Sequence, residues 1–178
     1  MNRLNRLTIM FLAILVLQVY AQDGNKYIGA AKCKTCHKKA KDGEQFKIWQ
    51  EGPHANAMKT LASDEAKKIA KEKGIANPAA DTKCTVCHST FASIDAKLLD
   101  PKTKLKLDEG VSCESCHGPG SAYKKKKTMK DQKLSLAAGL IIHDEKTCIG
   151  CHNKKSPTFK SFDFAKASKK IAHPVPKK

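Results

Sequence analysis

The pattern Cys-x-x-Cys-His occurs four times, at Cys33-Lys34-Thr35-Cys36-His37, Cys84-Thr85-Val86-Cys87-His88, Cys113-Glu114-Ser115-Cys116-His117 and Cys148-Ile149-Gly150-Cys151-His152, and it uses all 8 cysteines. Cysteines three apart share one face of a helical turn. From there both can bond the vinyl groups of one porphyrin, and the histidine that follows falls beneath the iron as an axial ligand. The repeats therefore predict four covalently bound haem c groups. Cys33, Cys36, Cys84, Cys87, Cys113, Cys116, Cys148 and Cys151 attach them, and His37, His88, His117 and His152 are the proximal iron ligands. Half of a zinc site or a redox dithiol also uses Cys-x-x-Cys, but neither explains the invariable histidine or the fourfold recurrence. No cysteine is left over for a disulfide.

Four porphyrins change what the rest of the chain must supply. Arg3 and Arg6 precede an apolar run from Leu7 to Val19, and Val19-Tyr20-Ala21 offers small residues for cleavage before Gln22. The reading is a signal peptide over 1–21 and a single tetrahaem cytochrome domain over 22–178, located in the periplasm or otherwise exported, where c-type haems are attached. Removing 21 of 178 residues leaves 157, about 39 per haem, too few for separate apolar cores. The porphyrins must serve as the interior. Only 6% of residues are aromatic and the net charge is +17, a balance that leans towards disorder without a large apolar group to bury. Without Arg3 and Arg6 the charge is +15; eight propionates and four ferric centres bring it near +11. Such a surface suits acidic patches on other periplasmic or membrane redox proteins, and a transient contact with an anionic membrane face. Nucleic acid belongs to the wrong compartment. Lys124–Lys127 and the pair Lys177 and Lys178 read as solvated charge or a docking patch.

First cysteines are separated by 51, 29 and 35 residues (33 to 84, 84 to 113, 113 to 148), so there is no strict structural repeat. Local signals are helical: a helix over 55–61 opened by Pro53, a cap at Ser63 with a second helix to Lys73 closed by Gly74, a helix start at Asp144-Glu145, and a short helix over 163–172 that delivers His173 before Pro174. Gly110 and Gly118-Pro119-Gly120 bracket the third motif, as chain packed on flat porphyrin faces requires. Period-two strand patterns are absent. The fold class is mainly α with irregular loops and little or no β-sheet, a compact multihaem c-type cytochrome with four haems forming the core.

Beyond the motifs remain three histidines, His54, His143 and His173, and two methionines after the leader, Met58 and Met129. Three imidazoles cannot complete four bis-histidine irons. At least one iron takes methionine, takes another ligand or stays open. His54 lies among Ala55, Ala57 and Met58, small enough for a porphyrin to approach, and His173 ends a segment with Phe162, Phe164 and Ile171; both are distal-ligand candidates. Met58 fits packing better than ligation. His143 reads as a ligand or as a residue supporting one. Met129 is apolar in a charged stretch, so a haem edge or an iron receives it.

The order of these features resembles the tetrahaem cytochrome c-554 family of periplasmic electron carriers. The resemblance rests on Trp49 and Pro53-His54-Ala55-Asn56-Ala57-Met58 after the first motif, on Gly110-Val111-Ser112 leading into Cys113-Glu114-Ser115-Cys116-His117-Gly118-Pro119-Gly120, on His143 ahead of the fourth motif and on a late His173. It implies closely packed haem pairs, three six-coordinate irons and an open one. His54 would serve the haem of His152, and His173 that of His117. The haem of His88 would be open beneath Pro157, Thr158 and Phe159. The family's distal histidine for the first haem, shortly after Gly-Pro-Gly, has no counterpart here, and Met129 is the nearest substitute. The implied function is electron transfer between redox partners without a catalytic side chain. The alternatives are a reductase or sensor of a small ligand such as nitric oxide at the open haem, and a protomer of an extended haem chain.

Overall fold

The computed structural model describes residues 24–174, so the leader expected at 1–21 lies outside the described residues. Helices in this chain are short because polar caps and loop residues interrupt every apolar run. In order they are α1 (Ala30–His37), α2 (Gln45–Glu51), α3 (Ala57–Thr60), α4 (Asp64–Glu72), α5 (Thr82–His88), α6 (Thr90–Ser93), α7 (Cys113–His117), α8 (Lys126–Met129), α9 (Gln132–Ala137), α10 (Glu145–Ile149) and α11 (Phe164–Ile171). Even α4 has only 9 residues, below the length at which a helix holds itself together in water. Each helix therefore depends on what it packs against. Among the described residues there is no strand, only an isolated parallel bridge between Tyr27 and Leu99. The mainly helical, loop-rich class read from the sequence is the one observed. No described helix is long and apolar enough to cross a membrane.

Side-chain caps set several helix starts. Ser63 Oγ accepts from Ala66 N at 3.1 Å, Asp144 Oδ1 from Thr147 N at 3.1 Å, and Asp163 Oδ1 from Lys166 N at 3.0 Å. These are the starts that the sequence signals. The segment after Pro53 behaves differently. A helix over 55–61 was expected, but α3 begins at Ala57, because the His54 carbonyl accepts from Val111 N at 2.9 Å and residues 53–56 close as a turn. Here a distant partner overrides local propensity. The crossing is tight. Gly110, at φ 75°, lies where a Cβ would meet His54 O at 2.6 Å and Ala55 O at 2.7 Å. The atoms that demand glycine at this position are backbone carbonyls.

The buried apolar set among the described residues is Ile28, Ala30, Phe46, Leu61, Ala70, Ile75, Leu105 and Tyr123. It is thin for a chain of this length. Polar groups join the pieces. Glu114, inside the third motif and 1% exposed, accepts from Gly29 N at 2.8 Å, Ile28 N at 3.0 Å and Gly120 N at 2.7 Å. It binds the start of α1 to α7, so the first and third motifs are held side by side. Glu109 adds a bond from Ala30 N at 2.9 Å. Trp49 packs on Phe46 with ring centroids 5.3 Å apart and donates its Nε1–H to Val111 O at 2.8 Å. That contact fixes α2 against the approach to the third motif.

Candidate haem sites

All four motifs adopt the helical turn that thioether attachment needs. The first closes α1, the second closes α5, and the third is α7 itself. The fourth begins in α10 and continues as a turn, with His152 N bonded to Cys148 O at 3.0 Å. The helices bring the motifs together in pairs. The Cys33 thiol neighbours that of Cys113 and, with burial, raises the Cys113 pKa. Cys87 and Cys151 are likewise adjacent, and burial together with Cys87 pushes Cys151 up to about 11. Cys148 in turn lies close enough to act on Cys116. The first motif thus neighbours the third, the second neighbours the fourth, and the third and fourth join the two pairs.

Iron ligation needs a neutral imidazole with one nitrogen occupied and the other aimed at the metal. His88 Nδ1 bonds the Ala57 carbonyl at 2.7 Å and lies 3.3 Å from Thr60 Oγ1. His117 Nδ1 faces the Ile141 carbonyl at 3.2 Å, and His37 Nδ1 faces Gln45 Oε1 at 3.2 Å. In these three motifs Nε2 remains for the metal. His152 is held by a stacked Phe162 ring, 4.9 Å away and 18° from parallel.

The spare histidines gather at two of the four motifs. The His54 ring lies 6.0 Å from that of His152, and the His173 ring 5.8 Å from that of His117. Two imidazoles sharing a metal at about 2 Å per bond keep their centroids about 6 Å apart, so both pairs fit an iron between them. Burial lowers the pKa of His54, with the neighbouring His152 adding to it. Burial likewise lowers His117, with His143 and His37 adding to it, and lowers His173, with His117, His37 and His143 adding to it. Low pKa values keep the rings in the metal-binding form. His143 stands 5.9 Å from His117, edge-on at 81°, and its Nδ1 is buried without a partner, as is that of His173. No second imidazole lies against His88 or opposite His37 among the described ring pairs. Met129 ends α8, half-buried. No three of His, Cys, Asp or Glu converge as a metal cage among the described residues; the donors come as facing pairs.

Sequence reading missed Gln45, Phe162 and Glu114. Gln45 had no local signal, and Phe162 stood out only as part of the apolar segment that ends at His173. Glu114 carried one, a carboxylate between two cysteines that each attach a porphyrin, where a charge must find buried partners.

Helical Cys-x-x-Cys-His turns with oriented histidines and facing imidazole pairs define a c-type cytochrome. A family model described as cytochrome c554 and c-prime matches residues 32–118. A curated relative, the cytochrome c-554 of Nitrosomonas europaea (strain ATCC 19718), is 34% identical over 141 residues, 70% of this chain and 56% of that protein. The chain thus spans just over half that relative's length. No solved structure matches. The chain belongs to the cytochrome c-554 family, whose cytochromes bind haem c covalently.

Proposed function

We propose that residues 22–178 form one exported, periplasmic tetrahaem electron carrier. In this reading the eight motif cysteines hold four haems. His54 and His152 share one iron, and His117 and His173 share another. His37 binds the first haem's iron with Met129 as the sixth ligand, and His88 binds an iron whose distal side is open. The observation that carries the reading is the pair of facing imidazoles at 6.0 and 5.8 Å, set among motifs whose thiols adjoin. Bound haem c supplies a one-electron ferric–ferrous couple. The protein's part is to orient the imidazoles, to exclude water and to keep the motifs close enough for electrons to pass between them. The lysine-rich surface, part of a +17 chain, steers it towards acidic faces of other redox proteins.

A second reading attaches to the His88 site alone. Its Nδ1 is committed to Ala57 O at 2.7 Å and no second imidazole faces it among the described ring pairs, so a small ligand such as nitric oxide has a place to bind and be reduced. One set of measurements tests both readings. The mature protein should have a mass equal to residues 22–178 plus four haems. Its oxidised electron paramagnetic resonance spectrum should show a high-spin signal beside low-spin ones, and carbon monoxide should perturb about one haem in four of the reduced protein. Four low-spin irons that ignore carbon monoxide would remove the open site. Turnover of nitric oxide with a chemical reductant would favour the second reading.

A further inference from the structure

Gln45 opens α2 and is 9% exposed, and both ends of its amide are committed. Nε2 donates to the Pro174 carbonyl at 2.9 Å and to the Asp42 carbonyl. Both partners are acceptors only, so the NH2 group must face them, which leaves Oε1 for His37 at 3.2 Å. An acceptor at Oε1 requires a proton on His37 Nδ1, and the lone pair is then on Nε2, the nitrogen the iron needs. The surrounding turn is shaped for this contact. Gly43, at φ 96°, stands where a Cβ would come within 2.7 Å of Gln45 Nε2 and 3.0 Å of Pro174 O.

Pro174 directly follows His173, whose ring faces His117 at 5.8 Å. One buried amide thus joins the proximal histidine of the first motif to the segment that carries the distal histidine of the third. The two motifs are also neighbours through Cys33 and Cys113. We propose that Gln45 is a positioning residue with two tasks: it sets the reduction potential of the haem held by His37, and it keeps His173 in register with the haem of His117. This rests on His37 and His173 being iron ligands. A hydrogen bond accepted from the outer nitrogen of an axial imidazole makes the ligand more basic and favours ferric iron; the link to Pro174 acts on geometry alone.

The test uses the fully haem-loaded protein, with potentials read by redox titration monitored by electron paramagnetic resonance. Gln45→Leu removes both links. The ferrous-to-ferric ratio of the His37 haem at a fixed potential should rise about tenfold, which is about 59 mV for a one-electron couple, and the low-spin signal of the His117 haem should broaden or be lost. Gln45→Glu puts a charged acceptor on His37 but cannot donate to Pro174. It should move the His37 haem in the opposite direction while disturbing the His117 haem in the same way as Leu. General loosening of the fold does not produce opposite signs at one haem and equal effects at its neighbour. Shifts of the same sign, or no shift, at the His37 haem overturn the first task, and an undisturbed His117 haem overturns the second. His173→Ala separates the premise from the proposal. It should turn one haem high-spin and leave the His37 potential unchanged, whereas a spectrum without a new high-spin signal would refute the ligand assignment itself and with it the coupling.

Discussion

His143 and His173 stand almost equally far from His117, at 5.9 and 5.8 Å, but the chain delivers them differently. His143 follows Ile141, whose backbone N bonds His117 O at 2.9 Å and whose carbonyl takes His117 Nδ1. It is thereby tied to the loop that takes the His117 Nδ1, whereas His173 arrives just after a separate helix, α11. His143→Ala should leave the count of low-spin haems unchanged, and His173→Ala should convert one to high spin; electron paramagnetic resonance of the oxidised protein reads both. The histidines also fix a pH dependence. Burial lowers the folded-state pKa of His54, His117 and His173 below the ordinary imidazole value of about 6.5. The unfolded chain then binds protons before the folded one does, so stability is full above about pH 6.5 and falls as the pH drops through the folded pKa values. Thermal midpoints measured from neutral pH downwards should decline.

At the scale of elements, Gly110 carries a sharp expectation. Gly110→Ala would drive a Cβ onto the carbonyls of His54 and Ala55, at a positive φ that alanine resists. The turn over 53–56 must move, so His54 should leave its place opposite His152, with a loss of about 2 kcal/mol or more in stability and a new high-spin signal. Ser63→Ala, by contrast, removes only the cap of α4 and should cost about 1 kcal/mol without touching the haem spectra. That contrast explains what the sequence made legible. Caps at Ser63, Asp144 and Asp163 bond three residues ahead, so their signals are local, and the helices they start were read correctly. The motif turns were legible for the same reason. The two extra helical residues expected before Ala57 were not, because their fate is decided by Val111 in a remote segment. Gln45 was invisible as a site residue, since its second partner is 129 positions away.

Across the whole molecule, eight buried apolar residues, one of them Ala30 and another Ala70, hold together helices of nine residues or fewer among those described. Replacing the motif cysteines with serine should therefore prevent cooperative folding, seen as weak helical circular dichroism and a sloping thermal melt. Charge acts at the same scale. With +17 on the chain, the rate of electron exchange with an acidic partner should fall steeply as ionic strength rises, in stopped-flow measurements at several salt concentrations. One contact makes such experiments easy to follow. Trp49, the sole tryptophan in the sequence, is tethered by its indole N–H to Val111, two positions before the third attachment site. A fluorophore so near an iron porphyrin is dark by energy transfer. The chain thus carries its own optical gauge: emission is silent while pigment and protein stay assembled, and it lights up when they part.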